Sequence, residues 1–258
     1  MKHIVYILVF LVSSTSALCA QVPREKDEMV RSMAELYAWT TEPWKGNHAA
    51  YRQTRIQIEA AIANKKDMVA LAQRYYVQAE ADLLNPLKQF RWAYASYQAS
   101  RVVRQTRVNT TRPLLRLQQF RGPYNFEFSR LRFILEAKTS PRAELKPIAR
   151  RLAERSPNDY DILFYTVAVL DPSKSRAEKQ EALTHCQTML KLAPNRSSAH
   201  TSLGFTYFRS WLTSKSRDDG KRSIAAYEKY LKIAPRNDPF RPQAQRLIAM
   251  IRSGLSSQ

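Results

Sequence analysis

Glycine is scarce in this chain, with five among 258 residues. No Gly-rich phosphate loop, His-Glu-x-x-His or Gly-x-Ser-x-Gly pattern occurs, so the commonest nucleotide, zincin and hydrolase signatures are absent. Cysteine is scarcer still, at two residues, Cys19 and Cys186. If the leader holding Cys19 is removed, Cys186 has no intrachain partner, and an apolar core rather than disulfides must hold the domain. There are four histidines, His3, His48, His185 and His200. His185 precedes Cys186 on a helix, where adjacent side chains diverge, so no metal site is expected there. Past the first residues, no segment is apolar for long enough to cross a bilayer. Acidic residues are few, 22 against 42 lysines and arginines, for a formal charge of +20.

The start of the chain reads as an address. Lys2 forms a positive n-region, Ile4 to Val12 an apolar stretch, and Leu18-Cys19-Ala20 offers a cleavage site before Gln21. The expectation is a secretory signal peptide over 1–20 and an exported protein, periplasmic or secreted in a bacterial envelope. An uncleaved anchor is the rival reading, against which the short apolar stretch argues. Cys19 also raises a lipoprotein signal, but bulky Leu18 sits where that peptidase needs a small residue.

What remains is rich in Ala, Leu, Arg, Gln and Lys and poor in alternating runs, which points to an all-α protein. Helices are expected over Pro23–Thr41, His48–Asn64, Lys66–Leu84 and from Asn85-Pro86 to about Val108. Thr40 to Asn47, with Pro43 and Gly46, is a break between the first two. The apolar sides are read as Ile56, Ile58, Ala61 and Ile62, then Val69, Leu71, Ala72, Tyr75 and Tyr76, then Phe90, Trp92, Tyr94 and Tyr97. Asn109-Thr110-Thr111 is a break, with Pro113 in the first turn of a short helix. Arg121-Gly122-Pro123 is a stronger break, dividing an N-terminal helical region (21–121) from a more regular part (122–258). There, Phe126–Lys138 and Pro141–Arg155 form a pair, with a kink or a late start imposed by Pro147.

From Ala182 to Pro235 the chain repeats its own pattern. Met189-Leu190-Lys191-Leu192-Ala193-Pro194 is echoed by Tyr230-Leu231-Lys232-Ile233-Ala234-Pro235, and between them lie His200-x-x-Leu203-Gly204-x-x-Tyr207 and Ser223-x-x-x-Tyr227. This resembles the tetratricopeptide repeat, with His200 at the family's tryptophan, Ser223 at its small residue and Tyr227 at its aromatic. The preceding unit, ending at Pro194, has Ala182, Cys186 and Met189 but Thr166-Val167 in place of Leu-Gly. Pro157, Pro194 and Pro235 stand 37 and 41 residues apart, against a family period of about 34. The excess is assigned to loops at Asp171–Arg176 and Thr213–Lys221. The resemblance implies antiparallel helix pairs stacked as a solenoid. Gly204 would admit close helix approach, Leu203, Tyr207, Tyr227 and Leu231 would fill the interior, and His200 would pack. A capping helix would open at Asp238-Pro239 and run to about Arg252, with Gln243, Arg246 and Arg252 on its polar side.

Such arrays bind rather than catalyse, and no cofactor is expected. The resemblance places Ser198, Thr201, Phe205, Phe208 and Arg209 along the concave groove. Members that clamp a peptide carboxylate carry Lys and Asn where this chain has Thr201 and Phe205, so a more apolar groove is implied. A second candidate is basic. From Ala81 onward there are 32 basic and 14 acidic residues, and the densest stretch holds Arg101, Arg104, Arg107, Arg112, Arg116, Arg121, Arg130 and Arg132. Guanidinium groups suit phosphate, sulfate and carboxylate. For an exported chain, the anions at hand are lipid headgroups, acidic polymers or an acidic protein rather than nucleic acid. The alternative is that these arginines pair with carboxylates of the same chain. Cys186 reads as a buried structural thiol.

Overall fold

A computed structural model describes residues 48–63, 67–102, 110–120, 126–139 and 143–257. The leader, the helix expected over Pro23–Thr41 and the break at Arg121-Gly122-Pro123 lie outside the described residues. Among the described residues every regular element is a helix. They are α1 (His48–Ala63), α2 (Met68–Glu80), α3 (Pro86–Val102), α4 (Thr111–Gln119), α5 (Phe126–Thr139), α6 (Lys146–Arg155), α7 (Tyr160–Val169), α8 (Arg176–Leu192), α9 (Ser197–Ser214), α10 (Arg217–Ile233) and α11 (Arg241–Ser256).

The starts are set by local chemistry. Asp67 accepts from the amides of Val69 and Ala70 at 2.9 and 3.1 Å, and Asp159 caps α7 through Asp161 and Ile162. Ser175 and Ser216 cap α8 and α10. Each satisfies amides that a helix start leaves without partners. Pro147 lies in the first turn of α6, preceded by a single 3-10 turn, Ala143–Leu145. Its missing N–H costs nothing there, so the late start, and not a kink, is what occurs.

Several expected faces are corrected. On α1 the buried stripe is Tyr51, Thr54, Ile58 and Ala61, and Ile56 is exposed, because 51-54-58-61 follows the helical period and 56 falls off it. On α2 the buried residues are Met68, Ala72 and Ala79, while Val69 is exposed. The loop expected at Thr213–Lys221 does not exist. α9 runs 18 residues and α10 runs 17, joined at Lys215, whose left-handed φ of 53° turns the chain, and Ser216. The extra residues lengthen the two helices. Gly220 is therefore helical and buried, not in a loop. The last helix begins at Arg241 rather than Pro239, since the Asp238 side chain accepts the Phe240 amide in a tight turn first.

The packing is built on two interior helices. α3 is buried from Gln89 to Ala99 except at the half-buried Arg91, and α5 from Glu127 to Ala137. α1, α2 and α4 pack on α3, and α1, α4, α6 and α7 touch α5. From α6 onward each helix packs on the next in sequence, and α7 also packs on α9. One apolar cluster continues from Tyr51 through α5 to Ala199. At the C-terminal end, Trp211 is seated by glycines on two other helices. A Cβ on Gly220 would meet its ring at 3.1 Å and one on Gly254 at 2.7 Å.

Candidate functional site

The face shared by α7 and α9 collects most of the groove residues. The Tyr160 hydroxyl and Ser198 Oγ lie 2.8 Å apart, tying the two helix starts together. The Arg196 guanidinium stacks 3.8 Å above the Tyr160 ring and donates to Asp161 at 3.2 Å. Thr201 is half-buried, its hydroxyl turned back to the Ser197 carbonyl at 3.2 Å. Phe205 is also half-buried, with the Arg209 guanidinium 5.6 Å from its ring centroid. Arg209 in turn pairs with Asp171 at 2.9 Å and donates to the Leu170 carbonyl at 3.3 Å. Stacking of this kind holds an aromatic in one orientation while leaving part of its ring open.

Phe208 is different. It is fully buried, its ring 6.1 Å from Trp211, so it belongs to the interior and offers no surface to a partner. The sequence reading also missed neighbours on α7. Asp161, Phe164 and Ala168 precede Ser198, Thr201 and Phe205 by 37 residues each, the same interval that separates Pro157 from Pro194. Phe164 is half-buried and Ala168 exposed. The proline interval carried that signal, but Thr166-Val167 in place of Leu-Gly obscured the register.

The arginines of the basic stretch that lie among the described residues are engaged. Arg101 pairs with Asp161 at 3.1 Å and lies over the Tyr97 ring. Burial disfavours its cation, but Tyr97 and Asp161 outweigh that and raise its pKa. Arg112 and Arg116 both pair with Glu80, at 3.3 and 3.5 Å. Arg130 and Arg132 are buried. Arg104, Arg107 and Arg121 lie outside the described residues.

Beneath the α7–α9 face sits a buried ionic network. Arg130 on α5 donates Nε and Nη2 to the two carboxylate oxygens of Asp159, and its Nη2 also reaches Asp161 at 3.4 Å. Burial would raise the Asp159 carboxyl, yet Arg130 overrides it and holds the group below the usual carboxylate range. Asp161 thus gathers Arg101, Arg130 and Arg196. Nearby, Lys138 donates to Ser100 Oγ. Burial, with Arg101 adding repulsion, lowers its pKa to about 8.

His200 is buried, with Nε2 3.3 Å from the Pro194 carbonyl. No group of three or more His, Cys, Asp or Glu side chains suited to a metal ion occurs among the described residues. Cys186 is buried beside Thr206, and burial pushes its pKa up to about 12. On a chain without Cys19, a thiol reagent at neutral pH is therefore expected to label native protein on the order of a hundredfold more slowly than unfolded protein. Equal rates would place Cys186 at the surface.

No family model matches this chain, and neither a curated protein nor a solved structure matches it. No helix among the described residues is long and apolar enough to cross a membrane.

Proposed function

We propose that this protein is a non-catalytic scaffold that binds a protein or peptide partner along the face shared by α7 and α9. In this reading the chain from α5 to α11 is a tetratricopeptide-like stack, working without a cofactor in the cell envelope or outside the cell. The observation that carries it is the α7–α9 face itself. Two half-buried phenylalanines, Phe164 on α7 and Phe205 on α9, stand one helical turn apart in the 37-residue register, where Phe164 corresponds to Thr201 and the exposed Ala168 to Phe205. Arginines fixed by carboxylates border them, Arg196 on Asp161 and Arg209 on Asp171. An extended or helical segment with apolar anchors suits such a surface, because anchor side chains supply most of the affinity at an interface.

The test is capture from host extract with the full chain and with Phe164→Asp/Phe205→Asp, each at low and high salt. A defined protein retained at high salt and lost at least about tenfold in the variant is the expected result. An unchanged set of retained proteins contradicts it.

A second reading rests on the charge of +20, namely an anionic polymer or membrane surface held through Arg101–Arg132. The carboxylate partners of Arg101, Arg112 and Arg116 argue against it. It predicts retention that collapses with salt, since counterion release sets polyanion affinity.

A further inference from the structure

Where α3 and α5 end, a lysine stands without a counter-ion. Lys138 on α5 is half-buried, and its ammonium donates to Ser100 Oγ on α3. Ser100 spends its own proton on the Tyr97 carbonyl at 2.7 Å, so its oxygen only accepts. An ammonium has three protons to donate, and among the described residues Lys138 has this one hydrogen bond and no ion pair. Its charged neighbour is a second cation. The Arg101 guanidinium and Lys138 Nζ lie 5.5 and 5.8 Å from the centroid of the same Tyr97 ring. Burial, and then repulsion from Arg101, lower the Lys138 pKa.

The sequence explains the shortage. From Leu83 through Phe126 there is no Asp or Glu, so α3 and α4 hold no carboxylate and their cations borrow from elsewhere. On α7 and its cap, Asp161 and Asp159 answer Arg101, Arg130 and Arg196. With Lys138, four cations in this cluster meet two carboxylates, a surplus of two. Tyr97 and Tyr165, which border Arg101, do not help, because burial raises both hydroxyls and keeps them neutral. Arg101 and Lys138 stand in the last turns of their helices, where the carbonyl ends favour a cation but amount to only about half a charge each. Arg101 is exposed, so solvent reaches the pair.

The geometry points to an oxyanion site at Lys138 and Arg101 that takes a phosphate group. The ammonium offers the protons that Ser100 does not use, and the guanidinium offers those not turned to Asp161. Charge-assisted hydrogen bonds from two cations are the strong kind. A phosphate dianion matches the surplus of two, whereas a carboxylate leaves one charge standing. The site is discrete and rests on an ammonium that no carboxylate engages. It therefore differs from the extended basic surface considered above, whose Arg112 and Arg116 are spent on Glu80. Inorganic phosphate and a small phosphomonoester present the same terminal oxygens to it.

The experiment is isothermal titration calorimetry of the full chain at about pH 8 with inorganic phosphate, glycerol phosphate and acetate. Phosphate is expected to bind saturably at one site, and acetate roughly tenfold more weakly or less. Lys138→Gln should weaken phosphate binding about tenfold or more, and Lys138→Arg should keep most of it. Lys138→Gln breaks no ion pair, so its circular dichroism should match the parent. A bound anion favours the ammonium over the neutral amine, so binding should take up protons. The measured heat should then vary with the ionisation enthalpy of the buffer, and Lys138→Arg should bind without that dependence. Tighter binding of glycerol phosphate would identify a phosphomonoester as the occupant, and equal binding the free ion. Phe164→Asp/Phe205→Asp should leave phosphate binding unchanged, which separates this inference from the α7–α9 reading. No saturable phosphate binding overturns it, as does equal binding by the parent and Lys138→Gln, or acetate binding as tightly as phosphate.

Discussion

Replacing Arg130 with Met should lower stability by about 3–5 kcal/mol, because removing one member of a buried ion pair strands the other. For a chain of this size that is a drop in Tm on the order of 10 °C. Arg130 is buried and is the only side chain that Asp159 engages in the ion pairs described above. Without it, Asp159 keeps the two amides it caps, of Asp161 and Ile162 at 3.1 Å each, and these do not neutralise a carboxylate. Asp161 retains Arg101 and Arg196, so the loss falls mainly on Asp159. Arg130→Lys should cost less but not nothing, since an ammonium cannot reproduce the two-pronged contact. The pH dependence has a definite sign. The Asp159 pKa is lowered in the folded chain, so its contribution is present above its unfolded value and lost as pH falls through the folded one. The gap between parent and Arg130→Met in urea unfolding should therefore narrow below about pH 4. A loss under 1 kcal/mol at neutral pH would show that the network is not what joins α5 to α7.

Gly204→Val should cost about 3 kcal/mol, and its sign is diagnostic. An exposed helical glycine gains up to about 1 kcal/mol when it acquires a side chain. Here a Cβ would meet the Tyr227 ring at 2.8 to 3.0 Å, and forcing atoms into a filled contact costs about 1–3 kcal/mol or more. The Gly204 carbonyl is also held from α10, accepting from Ser223 Oγ at 2.8 Å, so the helices cannot simply separate. Tyr227→Leu should relieve the clash, making the double variant less destabilised than the two single changes added together. Stabilisation by Gly204→Val would mean that α9 and α10 do not approach this closely.

These two sites mark what the sequence could and could not disclose. Gly204 was legible because a glycine at fixed spacing from Tyr207, Ser223 and Tyr227 has one economical explanation, close helix approach. The late helix start at Pro147 was legible for a similar reason, since a proline acts locally. The long α9 and α10 were not. Gly220 and the charged run around it read as a loop, yet the stretch is helical, capped by Ser216 and packed with Gly220 against Trp211. Of the residues that the repeat resemblance placed along a groove, Thr201, Phe205 and Arg209 are partly exposed, whereas Phe208 is buried against Trp211. The partners of the arginines were hidden entirely. Arg101 and Asp161 are 60 residues apart, and no local pattern links them.

The measurement that tests the central claim most directly is site-specific photocrosslinking in host cells, with a photoreactive phenylalanine analogue placed in turn at Phe164, Phe205 and, as a control, Ile56. The account predicts a single defined protein adduct at positions 164 and 205 and none at 56. Adducts at 56 with none at either α7–α9 position would contradict it.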